Sequence, residues 1–170
     1  MDKVNLLYAM KAFTEEAVKD LMLPVRMQKN DTTAERRSPV VFLMRVPDNS
    51  SATKKAPYIL HQIITGKDEQ QSGETSKRRA TVRTIFCVYH EDGQEGGIAL
   101  LQLMERWSIA VLKQHVIDNR FQVDLVKGME ELIYPDDTAP YYIGELVSDW
   151  SLPPVQREVT NLWLKENRLL

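Results

Sequence analysis

An α+β fold, with a mixed and mostly antiparallel central sheet, is predicted by three observations. Runs rich in β-branched and aromatic residues at 39–46, 58–65, 78–90 and 141–150 are bounded by Pro, Gly or Asp. Two other segments, 5–23 and about 98–117, repeat apolar residues at helical spacing. The 78–90 run also alternates between an apolar and a half-charged face, as suits a sheet with one face on the core.

In the first segment Leu6, Met10, Phe13, Ala17 and Leu21 make one stripe, and Pro24 ends it because proline offers no amide donor. Val25–Gln28 reads as a short strand and 30–37 as a polar loop. Pro39–Val46 is a buried strand that closes at the turn Pro47-Asp48-Asn49-Ser50. After Pro57, residues 58–65 form a second strand, with Ile59, His61 and Ile63 on one side and Tyr58, Leu60 and Gln62 on the other. Residues 66–77 hold no large apolar side chain and two glycines, so a mobile excursion or hairpin tip is expected.

The long strand 78–90 presents Ala80, Val82, Phe86 and Val88 on one face and Arg79, Thr81, Arg83, Ile85 and Tyr89 on the other. A connection at 91–97 leads to the clearest helix. There Ile98, Leu101, Met104, Ile109, Leu112 and Val116 set the stripe, widened by Leu100, Leu103, Trp107 and Val111. An arc this broad predicts burial between the sheet and another surface. Phe121–Val126 and Tyr141–Trp150 are further strands, and Pro153-Pro154 stops the last. The organisation expected is one domain over 1–154 and a C-terminal arm or helix over 155–170, in which Val159, Leu162, Trp163 and Leu169 are apolar.

At 170 residues and a net charge of −2, the chain has length for a real core and no concentrated basic field. No specific nucleic-acid partner is therefore expected. No apolar run approaches the roughly 18 residues that span a bilayer, and the N-terminus lacks the order of a signal peptide, so no membrane partner is expected either. The single cysteine, Cys87, excludes an internal disulfide and a Cys-based zinc site.

No constellation of reactive groups stands out, and the expectation is a protein with no catalytic residues, metal or cofactor. His61, His90 and His115 lack the short spacing of a helical zinc site. Asp136-Asp137 and Glu91-Asp92 sit in turn contexts where Asp caps local amides, and Glu130-Glu131 reads as a solvated edge. A small metal-dependent hydrolase using His61 or His90 with Asp136 or Asp137 is the alternative from another class. Lys77-Arg78-Arg79 with Arg83 is the one basic cluster, open to three readings: a solvated strand entry, a protein contact or DNA phosphates. Aromatics concentrate in the last third, where Tyr141, Tyr142, Trp150 and Trp163 are candidate interface residues. The arm after Pro154 either docks on a neighbour or packs at home.

The order of these elements resembles the tail terminator (tail completion) proteins of long-tailed bacteriophages and related phage-tail-like particles. The resemblance covers roughly residues 5–158. It rests on the paired strands ending near Tyr58-Ile59-Leu60, the strand ending Cys87-Val88-Tyr89, and the acidic, glycine-containing turn before a long helix. It rests also on Tyr134-Pro135 through Tyr142-Ile143-Gly144-Glu145, and on Trp150-Ser151-Leu152-Pro153. It implies a structural virion protein of the tail or neck, assembled in the host cytoplasm. Such a protein forms a homo-hexameric ring that caps the tail tube, stops elongation and offers the head–tail joining surface. The partners implied are the tail tube protein, the head–tail connector protein and, in a contractile tail, the sheath protein. A head–tail connector or head-completion protein of the neck is the nearest alternative.

Overall fold

The computed structural model describes residues 2–47, 55–72, 74–134 and 138–156. The first helix, α1, runs Asp2–Val18, and Leu6, Leu7, Met10, Thr14 and Val18 are its buried residues. It ends earlier than Pro24 requires, and at its last turn Arg106 reaches across and donates from Nε to the Ala17 carbonyl at 2.9 Å. That contact supplies the cation which the last turn of α1 lacks. Phe13, Ala17 and Leu21 pack at the margin of the core, not at its centre.

Two short strands, β1 (Leu23–Pro24) and β2 (Arg36–Arg37), pair antiparallel in a small sheet of their own. The main sheet then begins with β3 (Val40–Leu43), which ends where Met44 takes φ 61°. Strand β4 (Tyr58–Glu69) lies parallel to β3 and antiparallel to β5 (Lys77–Tyr89). The expected excursion at 66–77 is thus largely a hairpin, since Gly66↔Ala80 through Glu69↔Lys77 continue the ladder. Of the two readings of this stretch the hairpin is the one observed, since backbone pairing needs no apolar side chains.

Helix α2 spans Gly93–Gln114, starting earlier than the periodicity suggests. Asp92 caps it, accepting from the amides of Gln94 and Glu95 at 2.9 Å each. These bonds hold the Asp92 carboxyl below its ordinary range. His115 closes the other end at φ 58°, its amide donating to Val111.

Strands β6 (Val116–Ile117), β7 (Phe121–Val123), β8 (Met129–Ile133) and β9 (Tyr141–Leu152) complete the sheet. The order is β3-β4-β5-β9-β7-β6, with β8 also paired to β9. Every pairing except β3 with β4 is antiparallel. The architecture is therefore α+β, a mostly antiparallel mixed sheet with an N-terminal and a later long helix. Strand β9 pairs with β5 from Arg78↔Leu152 to Tyr89↔Tyr141, so the last described strand lies inside the sheet.

One face of the sheet carries the main core, in which Val82, Phe86, Leu146 and Trp150 meet Leu6, Met10, Leu103 and Trp107 from the helices. The other face holds a smaller cluster of Tyr58, Leu60, Cys87, Tyr89 and Tyr141. Burial pushes the Cys87 thiol up to about 12, which disfavours the reactive thiolate. Of the arm, only the first residues are described: the Val155 amide donates to Ser76 Oγ at 2.6 Å. Trp163 and the rest of 157–170 lie outside the described residues.

Candidate interaction surfaces

The basic cluster is divided by the pleat of β5. Arg78 turns toward the helix side, where it pairs with Asp2 and, at 3.2 Å, with Asp68. The Arg78 bond holds the Asp2 carboxyl below its usual value and raises the guanidinium in turn. On the opposite face Arg83 Nε stands 3.6 Å from Glu145 Oε2. That is ion-pair range but beyond hydrogen-bond reach, and among the described residues this buried nitrogen has no hydrogen-bond acceptor. Tyr134 donates to the same carboxylate oxygen at 2.6 Å.

Further along this face Lys127 pairs with Asp149 at 2.8 Å, Thr81 donates to Asp149, and Lys77 lies 3.6 Å from Glu74. Asp149 is pushed up by burial, but the bonds from Lys127 and Thr81 outweigh it and leave the carboxyl lowered. Lys77, Arg78 and Arg83 each meet a carboxylate, and Arg79 stands near enough to Glu69 and Asp149 to favour their charged forms. The result is a ladder of alternating sign rather than the concentrated positive field that phosphate backbones require.

Of the aromatic candidates, Tyr141 and Trp150 are buried within the chain itself, and the expectation of an interface there is revised accordingly, while Tyr142 is half-buried. Trp150 is 1% exposed and donates to Ser148 Oγ at 2.9 Å. Tyr141 stacks at a tilt with Tyr89 and accepts from Arg26 at 3.0 Å. Tyr142 lies on the first turn of α2. A Cβ added at Gly96 would stand 2.1 Å from its ring, so glycine is required there for this close approach. The adjacent tyrosines point to opposite faces, as the strand geometry predicts; Tyr141 is covered and Tyr142 is partly so.

The groups considered for chemistry are spread apart. His61 is fully buried, with Nε2 2.8 Å from Thr14 Oγ1 and Nδ1 2.9 Å from Thr84 Oγ1, while Trp107 Nε1 donates to Thr14 at 2.8 Å. A neutral imidazole satisfies both hydroxyls, one by donating and one by accepting. Desolvation lowers its pKa to about 3. His90 accepts from the Asp92 amide at 3.1 Å, and His115 is the helix cap. Asp136 and Asp137 lie outside the described residues. Among the described residues no three His, Cys, Asp or Glu are grouped to hold a metal ion, and no helix is long and apolar enough to cross a membrane.

The feature that sequence reasoning misplaced is the outer face of α2. Ile98, Leu101, Ile109 and Leu112, read as the centre of the apolar stripe, are 41–50% exposed. The core instead takes Leu100, Leu103, Met104, Trp107 and Val111, read as the flank apart from Met104. Both sides of this helix are apolar, so periodicity defines two stripes and cannot rank them. The expectation that α2 lies between the sheet and another surface remains half met within the chain: the sheet is present and the outer side has no described cover.

No protein-family model matches the chain, and no curated protein matches it.

Proposed function

We propose that this chain is a structural assembly protein, a tail terminator that caps the tube of a phage tail or tail-like particle as a hexameric ring. The ring stops elongation and forms the surface that joins the tail to the head connector. The observation that carries the reading is the exposed apolar stripe of α2, a row of Ile and Leu that a lone domain gains nothing by showing to water. The order of elements that prompted the resemblance supports it, as does the position of His61, whose burial suits a core and not a reaction centre.

Ring closure is a head-to-tail contact in which one patch meets a different patch of the next subunit. The charge ladder of β5 and β9 offers one such patch, in which Arg83 faces Glu145 and Lys127 faces Asp149. The test is native mass with negative-stain imaging, followed by addition to polymerising tube protein. Sixfold rings and tubes of arrested length are expected. Tubes that grow on unchanged, with no ring and no binding to their ends, would sink the reading. Binding to the portal-side connector alone would move the protein to the neck.

A further inference from the structure

The exposed stripe of α2 reads the same in both directions. Its members Ile98, Leu101, Glu105, Ile109 and Leu112 follow at spacings of three, four, four and three. All five are exposed and lie on the side of the helix away from the core. When a second α2 is laid antiparallel across the first with Glu105 at the crossing, Ile98 meets Leu112 of the other copy and Leu101 meets its Ile109. Both halves of the contact are filled by the same four side chains.

Charge agrees with this register. Glu95 and Lys113 are eighteen residues apart, about five turns at ~3.6 residues each, so they occupy one flank of the stripe. A two-fold axis through Glu105 brings Glu95 of each copy beside Lys113 of the other. Antiparallel helices also set the positive end of one dipole against the negative end of its neighbour. The one discord is Glu105, which faces its own copy at the axis and weakens the pair.

We propose that α2 is an isologous docking surface, and that its occupant in the free protein is the α2 of a second copy. Such a contact closes on itself and cannot build a sixfold ring, so it holds the stripe only in the free protein and does not rest on the tail reading. Four apolar side chains are far fewer than the roughly 20–30 residues a side of a standard interface. The dimer is therefore weak and concentration-dependent, and it covers the stripe until another surface displaces it.

The test uses the full chain in sedimentation equilibrium over a wide concentration range. Mass is expected to rise from one subunit toward two, and Leu101→Glu and Leu112→Glu are each expected to remain monomeric with unchanged circular dichroism. Glu105→Gln removes the like-charge pair and should tighten association several-fold. Glu105→Cys should cross-link to itself on oxidation. Gln102→Cys should not, because its two copies are about 9 Å apart along the helices at ~1.5 Å per residue. A wild-type monomer at every concentration overturns the proposal, and so does equal cross-linking at 102 and 105. Rings on tube ends without this dimer would preserve the assembly reading and defeat this one; a dimer that leaves tubes unaffected would do the reverse.

Discussion

His61 illustrates how a single buried residue makes stability depend on pH. Its ring lies between Thr14 and Thr84 with Trp107 beside it, and among the described residues no carboxylate is at hand to stabilise an imidazolium. The folded value is about 3 against an ordinary 6.5, so the unfolded chain binds the proton more readily throughout that window. The contribution of His61 is full above pH 6.5 and is lost as pH drops toward 3. The gap is on the order of 5 kcal/mol at its limit, at about 1.4 kcal/mol per unit. Urea midpoints at pH 7.5 and 5 should differ by more in the wild type than in His61→Gln. A wild-type midpoint that does not move would contradict the sealed environment. A second residue-scale prediction concerns two neighbouring glycines. Gly96→Ala drives a methyl into Tyr142 and should cost about 1–3 kcal/mol. At Gly97 nothing lies within 4 Å, and alanine should stabilise the helix by about 0.5–1 kcal/mol. Thermal melts of the pair should shift in opposite directions.

At the scale of elements, α2 is the decisive case. Leu103 is 0% and Leu101 49% exposed, although they are two residues apart on the same helix. Leu103→Ala should lose about 2–5 kcal/mol by opening a cavity, while Leu101→Ala should stay within about 0.5 kcal/mol in the monomer. Similar losses at both sites in dilute solution would mean that the helix is rotated from the orientation described. The approach to β4 offers a further test. Arg37 donates to the carbonyls of Lys55, Ala56 and Pro57 at 2.7, 3.3 and 3.2 Å, a clamp that needs the planar fork of guanidinium. Arg37→Lys cannot reproduce it and should lower the denaturation midpoint by an amount equal to about 1–3 kcal/mol.

At the scale of the molecule, the fold is governed by contacts distant in sequence. β5 and β9 pair along their whole lengths, from Arg78↔Leu152 to Tyr89↔Tyr141, with α2 and three strands between them. Closing such loops precedes most of the reward, so refolding should take about milliseconds to seconds, not microseconds. Stopped-flow tryptophan fluorescence would report it, because Trp107 and Trp150 share one core. A microsecond phase carrying the full amplitude would be incompatible with β9 completing the sheet late. The same topology places the polar ladder of Arg83, Glu145, Asp149 and Lys127 on the face away from the helices, leaving α2 as the apolar exterior.

What the sequence by itself determined were features set by local period and chain chemistry. The strands at β3, β4, β5 and β9 were legible because pleating alternates side chains two by two. The facing of Ile59, His61 and Ile63 against Tyr58 and Leu60 came from the same rule. The existence of α2 was legible from its 3.6-residue repeat, and the turn at Asp92 from the capping habit of aspartate. Only the tertiary structure decided which side of α2 is core, because a helix apolar on both sides carries no local signal to choose between them. It likewise decided that Tyr141 and Trp150 are interior, that the basic run of β5 is split and matched by acids, and that β8 joins the sheet edge. Each of these depends on which surface another element covers, a property of residues far apart in the chain that no short window contains.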